Sequence, residues 1–136
     1  MRSACTPTSL LDIGCGSGVV AIAAVLLGFS PVVAVDVDPA AVEATTRNAA
    51  ANAAANGVEV DARLADGATA RLPAVDVTVA NISLADVERL LPRLVAPLVV
   101  TSGYLDRDRP EVEGWEHVDR REVDGWAADL LRLQQQ

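Results

Sequence analysis

The chain contains no lysine and only two cysteines, Cys5 and Cys15, among its 136 residues. All 11 cationic side chains are arginines, and 19 acidic residues outnumber them, so the net charge is −8. Because nucleic acids and anionic membrane surfaces are bound by clustered cations, this balance argues against both as partners. Two cysteines offer no disulfide framework, and a reducing compartment is the simpler interpretation.

The sequence also lacks an apolar run long enough to cross a membrane. Gly28, Ser30 and Pro31 divide the apolar segment 19–35 into pieces shorter than the roughly 20 residues that a span requires. The first residues, MRSACTPTS, lack the apolar core of a signal peptide. We therefore expect a soluble cytoplasmic protein. Its length suits a single domain, 1–136, with a frayed tail at 134–136.

Strands and helices are predicted to alternate along most of the chain. The predicted strands are 9–13, 32–38, 58–66, 75–82 and 97–104, and the predicted helices are 17–27, 39–56 and 84–95. The segment 115–133 then indicates two strands joined at Asp124-Gly125, which is a hairpin signal. This order predicts an α/β fold with an open twisted sheet, mostly parallel with an antiparallel C-terminal hairpin, and helices on both faces.

The second predicted helix has clear end signals and one polar face. Asp38 is its predicted N-cap, and Gly57 is the matching stop. Asn48, Asn52 and Asn56 recur every four residues and therefore share one face. We interpret that face as one turned towards water.

The stretch LLDIGCGSG places Gly14, Gly16 and Gly18 on alternate positions between the first strand and the first helix. Glycine permits a positive φ and lets a ligand approach the main chain. The N–H groups at the start of the following helix favour a carboxylate or a phosphate. Taken alone, the glycines are also compatible with a turn that only packs helix against strand.

Two acidic residues narrow the choice of ligand. Asp36 lies near the end of the second strand, where a carboxylate can accept hydrogen bonds from both hydroxyls of a ribose. Asp12 lies immediately before the glycine turn, which suits an ammonium group and suits a pyrophosphate badly. Val19 also stands where a dinucleotide-binding motif has its third glycine. The pattern fits a nucleoside joined to an amino acid, and we predict S-adenosylmethionine as the cofactor.

These residues resemble the seven-strand class I S-adenosylmethionine-dependent methyltransferases, whose first motif is acid-x-Gly-x-Gly-x-Gly, here residues 12–18. Within that class the chain is most similar to the catalytic domain of the ribosomal protein L11 methyltransferases. The narrower resemblance rests on LLDIGCGSG, VVAIAA, AVDVDPAAVEA, NAAANGV, VDVTVANI and LVVTSGYL. It implies a Rossmann-like fold and an enzyme that transfers a methyl group to an acceptor.

The resemblance implies a set of cofactor-binding residues on the glycine turn and at the strand ends: Asp12, Gly14, Cys15, Gly16, Ser17, Gly18, Asp36, Val37, Asp66, Gly67 and Asn81. Asp12 and the turn would line the methionine and ribose portions of the cofactor. Asp36 would hold the ribose hydroxyls, and Val37 would flank the adenine. Asp66 would accept a hydrogen bond from the adenine amino group, with Gly67 letting the loop turn beneath it.

Asn81 is the implied catalytic residue, because the resemblance puts it near the methyl group and the incoming nucleophile. Two local alternatives stand beside these roles: Asn81 as a cap for the helix at 84, and Asp66-Gly67 as a common turn pair. The single histidine, His117, lies in the hairpin and is interpreted as a surface strand residue rather than a base. No metal ligand is predicted.

The chain departs from the family pattern in several respects, and these departures leave the identity of the methyl acceptor open. The family has a separate N-terminal recognition domain and a Gly/His/Thr-rich segment before the first motif, whereas this sequence begins close to the first strand. The connection LDRDRPEVEG is too short for the usual helix between strands five and six.

Three interpretations therefore stand: a compact methyltransferase acting on a protein amine or a small molecule, a cofactor-binding module without catalysis, and a fragment of a longer ribosomal protein methyltransferase. Apolar surface left bare at the sheet edge would favour a homo-oligomer.

Overall fold

A computed structural model describes residues 8–57 and 59–135, which form a seven-stranded sheet flanked by helices. The strands are β1 (Leu10–Ile13), β2 (Val32–Asp36), β3 (Asp61–Leu64), β4 (Val77–Asn81), β5 (Leu98–Leu105), β6 (Trp115–Val123) and β7 (Trp126–Leu133). The α-helices are α1 (Val19–Leu26), α2 (Pro39–Asn56) and α3 (Leu84–Leu90).

The strand order across the sheet is β3-β2-β1-β4-β5-β7-β6. The first five strands in this order run parallel, and β7 is antiparallel to both of its neighbours, β5 and β6. The predicted mostly parallel sheet with an antiparallel C-terminal hairpin is therefore confirmed. Since the chain leaves β1 for β2 on one side and later returns to β4 on the other, the strand order reverses beside β1, and ligands bind at such points.

Alternate residues of the central strands pack against helices on opposite faces of the sheet. Leu10 and Ala34 belong to an apolar cluster with α1, whereas Leu11 and Val35 belong to a second cluster with α3. Both faces are thus covered at β1 and β2, which explains why these strands read as nearly continuous apolar runs. The predicted helices on both faces are confirmed.

Several predicted element ends differ from the observed ones. Helix α3 stops at Leu90 and continues as a single 3₁₀ turn, Leu91–Arg93, instead of running to residue 95. Pro92 explains the change, because proline has no N–H and its ring crowds the preceding turn of an α-helix. Strand β2 ends at Asp36 and not at Asp38. The predicted start of the third strand, Val58, lies outside the described residues.

The signals at other ends are confirmed. The Oδ1 of Asp38 accepts the N–H of Ala40 at the start of α2. Asp124 and Gly125 both have positive φ, as a two-residue hairpin turn with the twist of its strands requires. The C-terminal end differs from these, because Gln134, the first residue of the predicted frayed tail 134–136, donates its N–H to the carbonyl of Gly114, while Gln136 lies outside the described residues. Within residues 8–57 and 59–135, no helix is both long and apolar enough to cross a membrane.

Candidate active site

An open cleft of about 460 Å³ lies at the carboxyl ends of β1, β2 and β4 and beside the loop that follows β3. Six of the predicted site residues line it: Gly14, Asp36, Val37, Asp66, Gly67 and Asn81. No sequence motif points to the part of its wall that α3 supplies, where Asp86 and Arg89 form an ion pair of 3.2 Å. The cleft therefore collects polar groups from four separate segments of the chain.

The glycine turn is anchored to β2 through its main chain. The N–H groups of Gly14 and Cys15 both donate to the carbonyl of Val35, at 2.9 and 3.0 Å. Gly14 has φ +79°, and a Cβ there would lie 2.7 Å from the Ile82 side chain. Glycine is thus required at this position both for its backbone conformation and for space. Gly18 caps α1 with φ 90°.

Helix α2 holds the same turn from behind. The hydroxyl of Thr45 donates to the carbonyl of Gly16 at 3.0 Å, and the Asn48 amide donates to the carbonyl of Ser17 at 2.7 Å. The interpretation of the asparagine face as one turned towards water is therefore wrong for Asn48. Its amide donates to a carbonyl of the irregular turn that no helix or strand hydrogen bond reaches, so this carbonyl is satisfied by a side chain instead. Asn52 in turn donates to the carbonyl of Asn48.

The side chain of Cys15 points away from the cleft. It is buried in the apolar cluster beneath α1, where its Sγ lies 3.2 Å from the Thr45 hydroxyl oxygen. Burial raises the pKa of this thiol. A role for Cys15 in ligand binding would therefore use its main chain. Ser17 is exposed on the same turn.

Asp36 ties the end of β2 to the glycine turn. Its Oδ2 accepts the N–H of Gly16 and its Oδ1 accepts the N–H of Asp38, each at 3.0 Å. Because an ionised carboxylate has about four acceptor positions, these two bonds leave capacity for two further donors. The next residue, Val37, is 65% exposed beside it.

Asp12 lies beneath the glycine turn and does not line the cleft. It is only 1% exposed, and its Oδ2 has no hydrogen-bond partner among the described residues. Burial is the main reason that the pKa of Asp12 rises to about 6, and the nearby negative charge of Asp36 raises it further. The turn therefore covers a carboxyl group whose charge is only partly compensated.

The loop after β3 is held both by its own main chain and by an arginine. Asp66 is exposed, and its Oδ1 accepts the N–H of Ala68 at 2.9 Å. Gly67 is buried, and a Cβ there would lie 2.9 Å from the Ile13 side chain, so glycine is needed for space and not for a positive φ. The guanidinium of Arg93, which no motif indicates, donates to the carbonyls of Gly67 and Ala70.

Asn81 ends β4 at the lip of the cleft, and its side chain is exposed. The N-cap of α3 is Ser83, whose Oγ accepts the N–H of Asp86. The alternative interpretation of Asn81 as the helix cap is therefore wrong. Asn81 also borders a second, more open groove, whose far wall is formed by the exposed Trp126 and Val123 of the hairpin.

His117 lies on β6 and does not line the cleft. Its side chain is 32% exposed, and its Nε2 lies 2.6 Å from Oδ1 of the buried Asp129. The interpretation of His117 as a strand residue is confirmed, but it is not simply a surface residue, because it forms a bond into the protein interior.

Comparison with solved structures defines the class of fold. An RNA methyltransferase from Salinibacter ruber, in complex with S-adenosyl-L-homocysteine, matches with a TM-score of 0.76 over 95% of this chain and 82% of that chain, at 19% identity. A ribosomal protein L11 methylase from Lactobacillus delbrueckii subsp. bulgaricus matches with a TM-score of 0.82 over 96% of this chain and 72% of that chain, at 25% identity. The fold is the Rossmann-like fold of the class I methyltransferases.

The sequence identifies the family within this class. The family model for ribosomal protein L11 methyltransferase (PrmA) matches residues 2–129, and the chain belongs to this family. The ribosomal protein L11 methyltransferase of Symbiobacterium thermophilum is 44% identical over 94 residues, which are 68% of this chain and 30% of that relative. The chain thus spans about a third of the length of the relatives that it matches.

Proposed function

We propose that this chain binds S-adenosylmethionine and carries the methyl-transfer site of a methyltransferase whose acceptor is a protein amine. The observation that carries the proposal is the convergence on one cleft of Gly14, Asp36, Asp66 and Asn81, which come from four separate segments. Along the strand ends, these residues follow the order in which a nucleoside joined to an amino acid would need partners for its amino-acid, ribose and base portions. A glycine turn that only packs helix against strand does not account for this convergence.

The polar groups present fit this cofactor. Asp36 retains acceptor capacity for two ribose hydroxyls after binding the N–H groups of Gly16 and Asp38. Asp66 uses its Oδ1 in the loop, which leaves its second oxygen for the adenine amino group. Asp12 contributes an oxygen that is buried beneath the turn and has no partner within residues 8–57 and 59–135, and the positive charge of the cofactor would compensate that group.

When bound, S-adenosylmethionine supplies a methyl group already activated by its positively charged sulfur. The chain therefore needs no strong acid or base, and its task is to orient the acceptor and exclude water. An amine acceptor must arrive neutral, and the side-chain oxygen of Asn81 can orient it by accepting a hydrogen bond. Asn81 suits this task because it borders both the cleft and the second groove.

The choice of a protein acceptor rests on the family. The relatives are named for the methylation of ribosomal protein L11. Because this chain spans about a third of their length, the acceptor requires its own test. We propose ribosomal protein L11 as the first acceptor to offer, with free small-molecule amines as the comparison.

Calorimetric titration of the purified chain with S-adenosylmethionine and, separately, with NADH tests cofactor binding. We expect binding of the first ligand only. Asp36→Ala should weaken it about 10- to 100-fold, since hydrogen bonds to a charged group contribute about 1.5–3 kcal/mol. Asp61→Ala is the charge-matched control, because Asp61 begins β3 at the far end of the strand and pairs with Arg63.

Three results of the titration would count against the cofactor proposal: no heat with S-adenosylmethionine, equal binding of NADH, or equal losses in the two variants. Transfer of a tritiated methyl group to purified L11 then tests the acceptor. Binding without transfer to L11 or to small amines would favour a cofactor-binding module over an enzyme.

A further inference from the structure

A group of polar side chains lies inside the apolar layer beneath β5 and β7. Thr101, Tyr104 and Asp129 are each at most 4% exposed. The Tyr104 hydroxyl donates to Oδ2 of Asp129 at 2.6 Å and lies 2.6 Å from the hydroxyl of Thr101. Such a network in a low-dielectric interior is strong when its groups are satisfied and costly when one partner is lost.

The network depends on a bulge in β5. In a regular strand, side chains three residues apart point to opposite faces, so Thr101 and Tyr104 would be separated by the sheet. The pairing with β7 shifts by one residue between Ser102 and Tyr104, and Gly103, with φ +105°, is the additional residue. This additional residue brings both hydroxyls to the α3 face. The hydrogen bonds of Tyr104 are therefore compatible with the bulged register only.

The same bulge supports the segment that carries Asn81. Asn81 pairs with Ser102 in the parallel ladder of β4 and β5, and Ile82 donates its N–H to the carbonyl of Ser102 at 3.0 Å. Gly103 lies against the main chain of Ile82 so closely that a Cβ on it would be 2.9 Å from the Ile82 nitrogen. A change in the bulge must therefore move the turn that follows Asn81.

The other oxygen of Asp129 is held from β6. His117 Nε2 lies 2.6 Å from Oδ1, and Arg120 Nε lies 3.4 Å from the same atom. The guanidinium of Arg120 also donates to the carbonyl of Asp108, in the loop after β5. These contacts compensate the buried carboxylate and leave Oδ2 facing Tyr104. Burial raises the pKa of Tyr104, so its hydroxyl stays protonated and donates.

We propose that Tyr104 and Asp129 are positioning residues for methyl transfer: their hydrogen bond fixes the bulge at Gly103, and the bulge fixes Asn81 at the lip of the cleft. This inference rests on the proposed function of Asn81. Neither residue lines the cleft, so both act through the main chain of β5. The expected signature is a loss of turnover without an equal loss of cofactor affinity.

The first test is steady-state transfer to L11 by Tyr104→Phe, which removes only the hydroxyl. We expect kcat to fall about 10-fold, because small displacements at a reacting centre are costly, while the Kd for S-adenosylmethionine changes less than about twofold. Thr101→Val is a milder variant that removes one bond of the network. Thr78→Val makes the same change at another buried threonine, on β4 and outside the network, and should leave kcat unchanged.

The second test is amide hydrogen exchange at Ile82, which needs no acceptor. Tyr104→Phe should accelerate exchange at Ile82 about 10-fold relative to amides of β2, and Thr78→Val should not. Asp129→Asn keeps an oxygen for Tyr104 but places an NH2 group where His117 and Arg120 hold Oδ1, so it should also lower kcat and accelerate exchange at Ile82. If the unmodified chain transfers no methyl group to L11, the acceptor proposal fails, while exchange still decides whether the network holds this turn. Unchanged exchange at Ile82 in Tyr104→Phe overturns the inference.

Discussion

At the ends of β2 and β3, carboxylates accept hydrogen bonds from main-chain N–H groups two residues further along, as Asp36 does from Asp38 and Asp66 from Ala68. On β7, the carboxylate of Asp129 is held instead by side chains from β5 and β6. We call β3-β2-β1 the cofactor half of the sheet and β4-β5-β7-β6 the acceptor half. The carboxylates that line the cofactor half are each held in part by neighbouring residues, whereas Asp129 in the acceptor half is held only when distant strands meet.

This difference has an energetic side. Short-range bonds at exposed carboxylates compete with water, so each contributes modestly to stability. The bonds around Asp129 are shielded from water, so the loss of one partner leaves a buried group unsatisfied. We therefore expect substitutions in the acceptor half to change stability or turnover, and most substitutions in the cofactor half to change ligand affinity.

The largest expected effect is that of Gly103→Ala in the acceptor half. Its Cβ would overlap the main chain of Ile82, which cannot rotate away as a side chain can. We expect a loss of about 3–5 kcal/mol in the free energy of unfolding, measured by urea denaturation, as for other severe packing defects. Gly16→Ala is the matched change in the cofactor half, since its φ is also positive but no atom of the described residues lies within 4 Å of the added Cβ. It should cost only about 1–2 kcal/mol, and equal losses would contradict the comparison.

Asp12 is the exception in the cofactor half, because it is buried and yet one of its oxygens has no hydrogen-bond partner in the described part of the chain. Its folded pKa of about 6 exceeds the unfolded value of 3.8, so the folded state binds more protons between these values. The contribution of Asp12 to stability therefore declines as pH rises from about 4 to about 6 and stays low above that. Asp12→Asn should stabilise the free protein by roughly 2–3 kcal/mol at pH 7 and by almost nothing at pH 4.

Denaturation at several pH values checks this sign, with Asp61→Asn as the control. The hydrogen bond from Arg63 lowers the pKa of Asp61, so that substitution should show the opposite trend with pH. Asp12→Asn should also weaken the binding of S-adenosylmethionine, because the proposed partner of its positive charge is gone. A gain in stability that is equal at pH 4 and pH 7 would rule out titration of Asp12 as its cause.

The sequence predicts more of the cofactor half than of the acceptor half. The acid-x-Gly-x-Gly-x-Gly pattern and Asp36 indicate the cofactor half because their meaning depends on neighbours within the same turn or strand end. The bonds of Thr45 and Asn48 to the glycine turn join residues 29 and 31 positions apart, and no local sequence pattern predicts them. The sequence does not predict the hydrogen bond between Tyr104 and Asp129 either, because this bond requires both a bulge and an antiparallel neighbour. The binding roles of the site residues stay predictions.

Asn81→Ala tests whether the acceptor half controls kcat separately from the affinity for the cofactor. The side chain is exposed at the lip of the cleft, so its loss should cost little stability. We expect kcat for L11 methylation to fall about 10- to 50-fold, the range for removing one orienting hydrogen bond, with the Kd for S-adenosylmethionine changed less than about threefold. Asn52→Ala is the control, because Asn52 bonds only within α2 among the described contacts. Equal losses in kcat and affinity would remove Asn81 from the catalytic role.

Thr45→Val should weaken cofactor binding rather than lower kcat, and its effect should be the smallest among these variants. It keeps the shape of a buried side chain but removes the hydroxyl that holds the carbonyl of Gly16. The glycine turn should become less ordered before binding, so we expect the Kd for S-adenosylmethionine to rise about threefold by calorimetry, with kcat nearly unchanged. The neighbouring Thr46→Val provides a matched control, since the Thr46 hydroxyl is exposed and, as far as the structure describes the chain, bonds only back to Val42 within α2. If both variants bind equally well, the Thr45 hydroxyl does not order the turn for binding, and the contribution of α2 is limited to the bond from Asn48.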